Sequence, residues 1–266
     1  MAKDDEKYRW DWRTQTFPVI DPHSKIKHQI IDEYIQTYID VLMRNQLMPE
    51  LGLSIVDGFS GGGIYHDGAG KHHFGSPVIA LEAIQASEIR NNLERIKRRP
   101  IRSQHYFVDV KPENIACLHS VLAARGHAPR VGQDVHLHRA EFTEALPIIA
   151  QKLKHFGKGE RVLFLLDQYG YADVPFPKIK WIFQNLSKAE VLLTFNVDFL
   201  VTYLADRQAN RKAISNIGLD HHVPWDMLKQ LKAHQPRSWQ YLIQRYLSEG
   251  IKQESGAQYM TVFFIR

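Results

Sequence analysis

Cysteine is nearly absent from this sequence of 266 residues, in which Cys117 is the only one. A single cysteine cannot form an internal disulfide or a cysteine-based metal cage. The sequence also lacks an apolar run of about eighteen residues, the length of a membrane-spanning helix. Met1 to Arg13 lack the apolar stretch of a secretory signal. These absences predict a cytoplasmic protein without a transmembrane segment.

Histidine is plentiful, with 14 residues, but the histidines are scattered and show no metal-ligand spacing. We therefore expect no metal site. The formal net charge of +5 is compatible with a nucleic-acid partner without requiring one. The length suits one large domain or one domain with appendages.

A glycine-rich stretch that follows an acid is the main motif of the sequence. The apolar run Leu53 to Val56 ends in Asp57, and residues 58–63 read Gly-Phe-Ser-Gly-Gly-Gly. Glycine is used where φ is positive or where a Cβ would collide with a neighbour. We predict a buried strand that ends at Asp57 and a loop whose backbone approaches a ligand closely. The spacing differs from the G-x-G-x-x-G of dinucleotide-binding proteins, and a tight surface turn is the alternative.

Further apolar runs alternate with helical patterns, which predicts an α/β fold with a mainly parallel sheet flanked by helices. The predicted strands after the first are His105–Asp109, Val135–Arg139, Arg161–Asp167 and Val191–Asn196. Three strands thus end in an acid: Asp57, Asp109 and Asp167. The carboxyl ends of parallel strands line one edge of a sheet, so we predict a single crevice there. Taken singly, each acid is better explained as a helix cap.

The remaining segments are predicted as follows. Residues 1–22 form an aromatic arm that packs on a single domain, residues 23–266; an arm that forms part of a substrate cleft is the alternative. Extra helices occupy about 198–250, before a C-terminal strand at Gln258–Ile265. The arginine-rich connector 90–102 is either a solvated face or a phosphate-binding patch. A first helix runs from about Ser24, its predicted N-cap, to Arg44.

That first helix carries Lys25, Lys27 and His28 in its first turn. Cations at a helix N-terminus oppose the helix dipole, so they cost stability unless an anion lies nearby. A solvated first turn and a turn that faces an anionic ligand are both compatible with this pattern.

Four segments together resemble one family, the three-Cys-motif partner proteins (TcmP) of bacteria and phages. The segments are Lys25-x-Lys27-His28, residues 56–63, Gly75-Ser76-Pro77 and residues 166–170 with the sequence Leu-Asp-Gln-Tyr-Gly. The resemblance covers the chain from about residue 20 onward. It implies a Rossmann-like class I methyltransferase fold. It also implies S-adenosyl-L-methionine as cofactor and a three-cysteine-motif protein of the radical-SAM kind as partner.

The resemblance also assigns roles in cofactor binding. The methionine side of the cofactor would lie against residues of the glycine-rich loop, Asp109 would hold the ribose and Glu141 would lie near the adenine. The loop residues concerned are Asp57, Gly58, Phe59, Gly61 and Gly63.

Asp167 and Tyr169 would be catalytic, and Gln168 would contact the substrate together with Lys25, Lys27 and His28. In amino-directed base methyltransferases the matching motif reads Asp/Asn-Pro-Pro-aromatic, and its aromatic ring stacks on a flipped-out base. Here Gln168 replaces the prolines and the aromatic residue comes early, a departure that counts against base-amine methylation. Cys117 lies far from the position of a cytosine-C5 nucleophile.

Two functions therefore remain open from the sequence. The first is an S-adenosylmethionine-dependent methyltransferase that acts on DNA or RNA. The second is a non-catalytic subunit that keeps the fold and binds nucleic acid or a protein. An NAD-dependent enzyme is weaker, because the glycine spacing does not match and no hydride-transfer histidine is evident.

Overall fold

The computed structural model describes residues 8–156, 160–168, 173–195, 207–234 and 239–263. The chain forms two compact units, residues 1–165 and residues 166–264. Their boundary falls inside a strand.

Within the described ranges, the first unit contains most of the sheet and four α-helices. Its elements are α1 (Pro22–Met43), β1 (Leu51–Asp57), β2 (Ile64–His66), β3 (His72–Phe74), α2 (Ser76–Asn92), β4 (Ile101–Asp109), α3 (Pro112–Ala124), β5 (Val135–Arg139), α4 (Phe142–Phe156) and β6 (Arg161–Leu166). The last residue of β6, Leu166, is the first residue of the second unit. The second unit adds α5 (Phe176–Asn185), β7 (Ala189–Leu193), α6 (Gln208–Asn216), α7 (Trp225–His234) and α8 (Trp239–Ser255).

The main sheet has the strand order β5-β4-β1-β6-β7. β1 pairs in parallel with β4 and β6, and β4 pairs in parallel with β5. The chain therefore winds outward from β1 in one direction and then returns to continue from β6 in the other. This order is typical of Rossmann-like folds, in which ligands bind outside the carboxyl ends of the strands where the winding reverses.

The strands that we predicted from apolar runs are found as β1, β4, β5 and β6, whereas the last lies at Ala189–Leu193 and not at the predicted Val191–Asn196, whose final residue is outside the described ranges. β1 and β6 are buried along nearly their whole length. A parallel strand covered on both faces has to be apolar throughout. The predicted strand at 105–109 begins earlier, at Ile101, where charged and polar residues had hidden it.

The N-terminal arm packs its aromatic rings on the first unit, as predicted. Trp10 and Phe17 are each 6% exposed and belong to the core that also contains Phe107 and Leu118. The backbone of residues 18–20 bonds to His66 at both of its polar atoms, which adds the arm to the β2–β3 hairpin.

Two predictions are wrong: the N-cap residue of the first helix and the C-terminal strand. Helix α1 is capped by Asp21, whose carboxylate accepts a hydrogen bond from Ser24 N at 2.7 Å. The C-terminal strand is absent over residues 258–263, where Tyr259 and Phe263 are exposed. An apolar, strand-like sequence forms a strand only where an open edge accepts it. Positions 264 and 265 of that prediction lie outside the described residues.

No helix in the described ranges is long and apolar enough to span a membrane.

Candidate functional site

Asp57 ends β1 and fixes the start of the glycine-rich loop. Its carboxylate is 1% exposed. It accepts hydrogen bonds from Phe59 N at 3.1 Å and from Ser76 Oγ at 2.6 Å. Gly58 N donates to Leu165 O at 3.0 Å. These bonds tie the end of β1 to the start of α2 and to β6.

Asp109 ends β4 and accepts three hydrogen bonds. Oδ2 accepts from Gly61 N at 3.0 Å, while Oδ1 accepts from Lys111 N at 2.8 Å and from Asn114 Nδ2 at 3.0 Å. Ser60 N also donates to Val108 O at 2.9 Å. The loop after β1 therefore folds over the end of β4, and the two acids that we predicted to share an edge end neighbouring strands.

The end of β5 lies at the same edge of the sheet as the end of β4. Ala140 N donates to Asp109 O at 3.2 Å. The rings of Phe59 and Phe142 lie 6.1 Å apart between centroids. Glu141 is exposed beside them. The structure thus brings together the segments to which the family resemblance assigned the methionine, ribose and adenine parts of one cofactor.

The glycines of the loop are explained by contacts inside the protein. Gly61 and Gly63 have positive φ values of 58° and 74°. A Cβ at Gly62 would overlap the ring of Trp10, and one at Gly63 would lie 2.6 Å from Leu118 Cδ1. A Cβ at Gly61 would lie 3.2 Å from the Trp10 ring. The close approach that we predicted is real, but the neighbour on this side is the N-terminal arm, so the glycines alone do not indicate a ligand.

Trp10 is held in this position by polar and aromatic contacts. Its Nε1 donates to Ile64 O at 2.6 Å, and its ring meets Tyr65 edge-on at 5.5 Å. The sequence predicted that the arm packs on the domain, but not that it covers the glycine-rich loop. The four glycines between residues 58 and 63 were the available signal, since they leave room for a large ring.

The second turn of α1 lies beside the β2–β3 hairpin, because the helix begins at Pro22 and His28 is therefore not in the first turn as predicted. The ring of His28 is 5.7 Å from that of Tyr65. Burial alone would raise the pKa of Asp67, but hydrogen bonds from Ala69 N and Lys71 N, with the charges of His73 and Lys25, lower it. Lys25 therefore lies near an acidic side chain of the protein itself. Lys27 is partly buried and, like His28, has an interaction partner.

The segment after β6 belongs to the second unit. Asp167 directly follows β6 and is partly buried. The Gln168 side chain is 2% exposed; it donates to Thr194 O at 3.2 Å and accepts from Asp173 N at 3.0 Å and Val174 N at 3.1 Å. Gln168 therefore links Asp173 and Val174 to Thr194. Tyr169 and the following glycine lie outside the described residues.

The arginine-rich connector is largely paired within the protein. Arg90 pairs with Asp40, Arg98 with Glu88 and Arg102 with Glu50, at 2.9, 3.0 and 2.7 Å. Arg99 is 5% exposed and donates to the carbonyls of residues 43, 45 and 48. These contacts favour a structural role for the connector over a phosphate-binding patch.

A cavity of about 430 Å³ lies near the amino ends of β4 and β5, whereas the predicted crevice lies at their carboxyl ends. It is lined in part by Leu81, Ile101, Ser103, Arg130 and Phe156. Within the described ranges, no three histidine, cysteine, aspartate or glutamate side chains are grouped as metal ligands.

Cys117 lies in the core of the first unit. Burial, with a smaller effect of Asp11, raises the pKa of its thiol to about 12. A thiol with such a pKa stays protonated and is not a nucleophile at neutral pH.

Comparisons with known proteins leave the chain without an assigned family. No family model matches it, and no curated protein matches it. It is similar to a crystal structure of protein LPL1258 from Legionella pneumophila, described by the family model DUF519. The TM-score is 0.34 and the identity 11%, over 84% of this chain and 74% of that chain. A similarity this weak supports no conclusion about function.

Proposed function

We propose that this protein binds S-adenosyl-L-methionine at the carboxyl ends of β1, β4 and β5 and is a methyltransferase that acts on DNA or RNA. The observation that carries the proposal is the convergence of the segments that contain Phe59, Asp109 and Glu141 on one edge of a sheet with Rossmann-like strand order. Such an edge is where nucleoside cofactors bind in folds of this type.

The residues at this edge suit a nucleoside on chemical grounds. A carboxylate offers about four acceptor positions, and Asp109 uses three of them internally. One position is left for a ribose hydroxyl. Phe59 offers an aromatic surface that is partly exposed, and Glu141 offers an exposed acceptor for an adenine amine. Because Trp10 covers one side of the loop, the cofactor would contact the other side, toward β4 and β5.

When bound, the cofactor supplies an electrophilic methyl group for in-line transfer. The protein would contribute mainly by holding the donor and the acceptor close together in the right orientation. The roles of Asp167 and Tyr169 in orienting the acceptor, and of Gln168, Lys25, Lys27 and His28 in contacting it, remain part of the proposal.

Calorimetric titration with S-adenosyl-L-methionine tests the cofactor. We expect binding by the wild-type chain and an affinity lowered about tenfold or more by Asp109→Asn, because a charged acceptor is lost. Asp134→Asn is the matched control, since Asp134 pairs with Arg130 before the start of β5 and should not change the affinity. A folded wild-type protein that does not bind the cofactor would refute the proposal.

A non-catalytic subunit is the second candidate. It is favoured by the internal use of Gln168 and by the Trp10 ring on the glycine-rich loop. Transfer of a radioactive methyl group from the cofactor to single- and double-stranded DNA and RNA separates the two. Cofactor binding without transfer, together with binding of a purified three-cysteine-motif protein, would support the subunit.

A further inference from the structure

The amide of Asn114 is the most unusual polar group at the predicted edge. Asn114 lies in the first turn of α3 and is 4% exposed. Its Nδ2 donates to Asp109 Oδ1 at 3.0 Å. Its Oδ1 is buried and accepts no hydrogen bond from any residue that the structure describes. A buried acceptor without a donor costs free energy, so such groups call for an explanation.

The hydrogen bond to Asp109 fixes which way the amide points. If the amide were turned over, its oxygen would face the Asp109 carboxylate, and two acceptors would oppose each other. The amide oxygen therefore faces away from Asp109 Oδ1, although the amide itself is hydrogen-bonded to that carboxylate. Because this oxygen is buried, a donor that enters beside Asp109 reaches it only when neighbouring side chains move.

We propose that Asn114 recognises a hydroxyl of the bound ligand and, with Asp109, selects an intact ribose diol. This inference rests on the proposed function and deepens it. The remaining acceptor position of Asp109 takes one hydroxyl and Asn114 Oδ1 takes its neighbour. Because Oδ1 is enclosed, the side chains around it shift when the hydroxyl enters.

The chemistry of the pair limits the ligand. Asp109 and Asn114 Oδ1 both accept hydrogen bonds, so the part of the ligand between them must donate twice. A vicinal diol meets this requirement. A deoxyribose donates only once, and a 2′-phosphate would face the negative charge of Asp109 and be repelled.

The test is a set of calorimetric titrations that remove the side chain and the hydroxyls separately. Wild-type protein and Asn114→Ala are titrated with adenosine, 2′-deoxyadenosine and 3′-deoxyadenosine. For the wild type, loss of either hydroxyl should weaken binding about tenfold, as expected for one hydrogen bond that leaves a buried partner unpaired. In Asn114→Ala, one of the two penalties should disappear while the other persists.

Asn92→Ala is the control, because Asn92 is hydrogen-bonded at both amide atoms away from this edge and should leave both penalties unchanged. Asn114→Leu, which keeps the volume, replaces Asn114→Ala if that variant does not fold. If the wild type binds and the Asn114 variants keep both penalties, this inference is overturned and the cofactor proposal still stands. An ordered water would then be the donor to Asn114 Oδ1. A wild type that binds neither adenosine nor S-adenosyl-L-methionine would overturn both.

Discussion

At the scale of single residues, the glycine-rich loop depends on one aromatic ring. The Cα of Gly62 lies directly beneath Trp10, which leaves no space for a methyl group. Overpacking a buried position forces side chains off their preferred rotamers or shifts the backbone. The sequence predicts a glycine requirement here, but only the fold shows that Trp10 imposes it.

We therefore expect Gly62→Ala to lower the free energy of unfolding by about 1–3 kcal/mol, because the new Cβ overlaps the Trp10 ring. Urea unfolding followed by circular dichroism measures this. The cost should shrink in a Trp10→Ala background, since the ring is then gone. Equal costs in the two backgrounds would show that Trp10 does not press on Gly62.

The end of helix α1 shows how one side chain fixes an element. The last carbonyls of a helix have no partner within it. The buried guanidinium of Arg99 donates to Met43 O at 2.9 Å and to Asn45 O and Met48 O at 2.6 Å. Burial lowers the pKa of Arg99, but a guanidinium keeps its charge at neutral pH. Arg99 thus joins α1 to the connector before β4.

Arg99→Ala should destabilise the protein by roughly 3 kcal/mol, because it leaves three carbonyl groups without their charged donor. Arg99→Lys should recover part of this loss, since one ammonium cannot reproduce the planar fork. Arg95→Ala is the control: Arg95 is exposed and its side chain donates to Asn91 O alone within the described part of the chain, so its effect should stay within about 0.5 kcal/mol. Equal losses at residues 95 and 99 would contradict this assignment.

At the scale of the whole molecule, buried histidines link stability to pH. Burial, and then the charge of Arg130, holds the pKa of His105 well below its usual 6.5. Burial also lowers the pKa of His127. In the unfolded chain these rings bind protons near pH 6.5, whereas in the folded protein they stay neutral to lower pH. Their contribution to stability is complete above pH 6.5 and is lost as the pH falls below it.

We expect the free energy of unfolding to fall between pH 7 and pH 5.5, by up to about 1.4 kcal/mol per pH unit for each such histidine. His105→Gln should flatten this dependence. His155→Gln should not, because His155 is exposed near the end of α4. Urea unfolding at several pH values measures the slopes. The same slope in His105→Gln as in the wild type would rule out His105 as a source.

Prediction from the sequence succeeded where the local pattern and the tertiary contacts agree. The continuous apolar run of β6 could be recognised because a buried parallel strand has no polar face. The C-terminal strand at Gln258–Ile265 was predicted by the same reasoning and is absent over its described residues, 258–263, because a strand needs a neighbour that the sequence does not show. The first residues of β4 were hidden because their charged side chains resemble a connector.

The site divides in a similar way. The acids at the ends of β1 and β4 were predictable, because parallel strands deliver their carboxyl ends to one edge. The partner of Gly62 and the unpaired oxygen of Asn114 were not, since each depends on a contact between segments far apart in the chain.

By itself, the sequence determined the alternation of strands and helices and the positions of Asp57 and Asp109, because apolar periodicity and chain direction fix these locally. Tertiary structure decided which neighbour each special residue has: Trp10 over the glycines, carbonyl groups around Arg99, and Asp109 beside Asn114. Such neighbours arise when distant segments pack together, and the order of residues along a chain does not record which segments will meet.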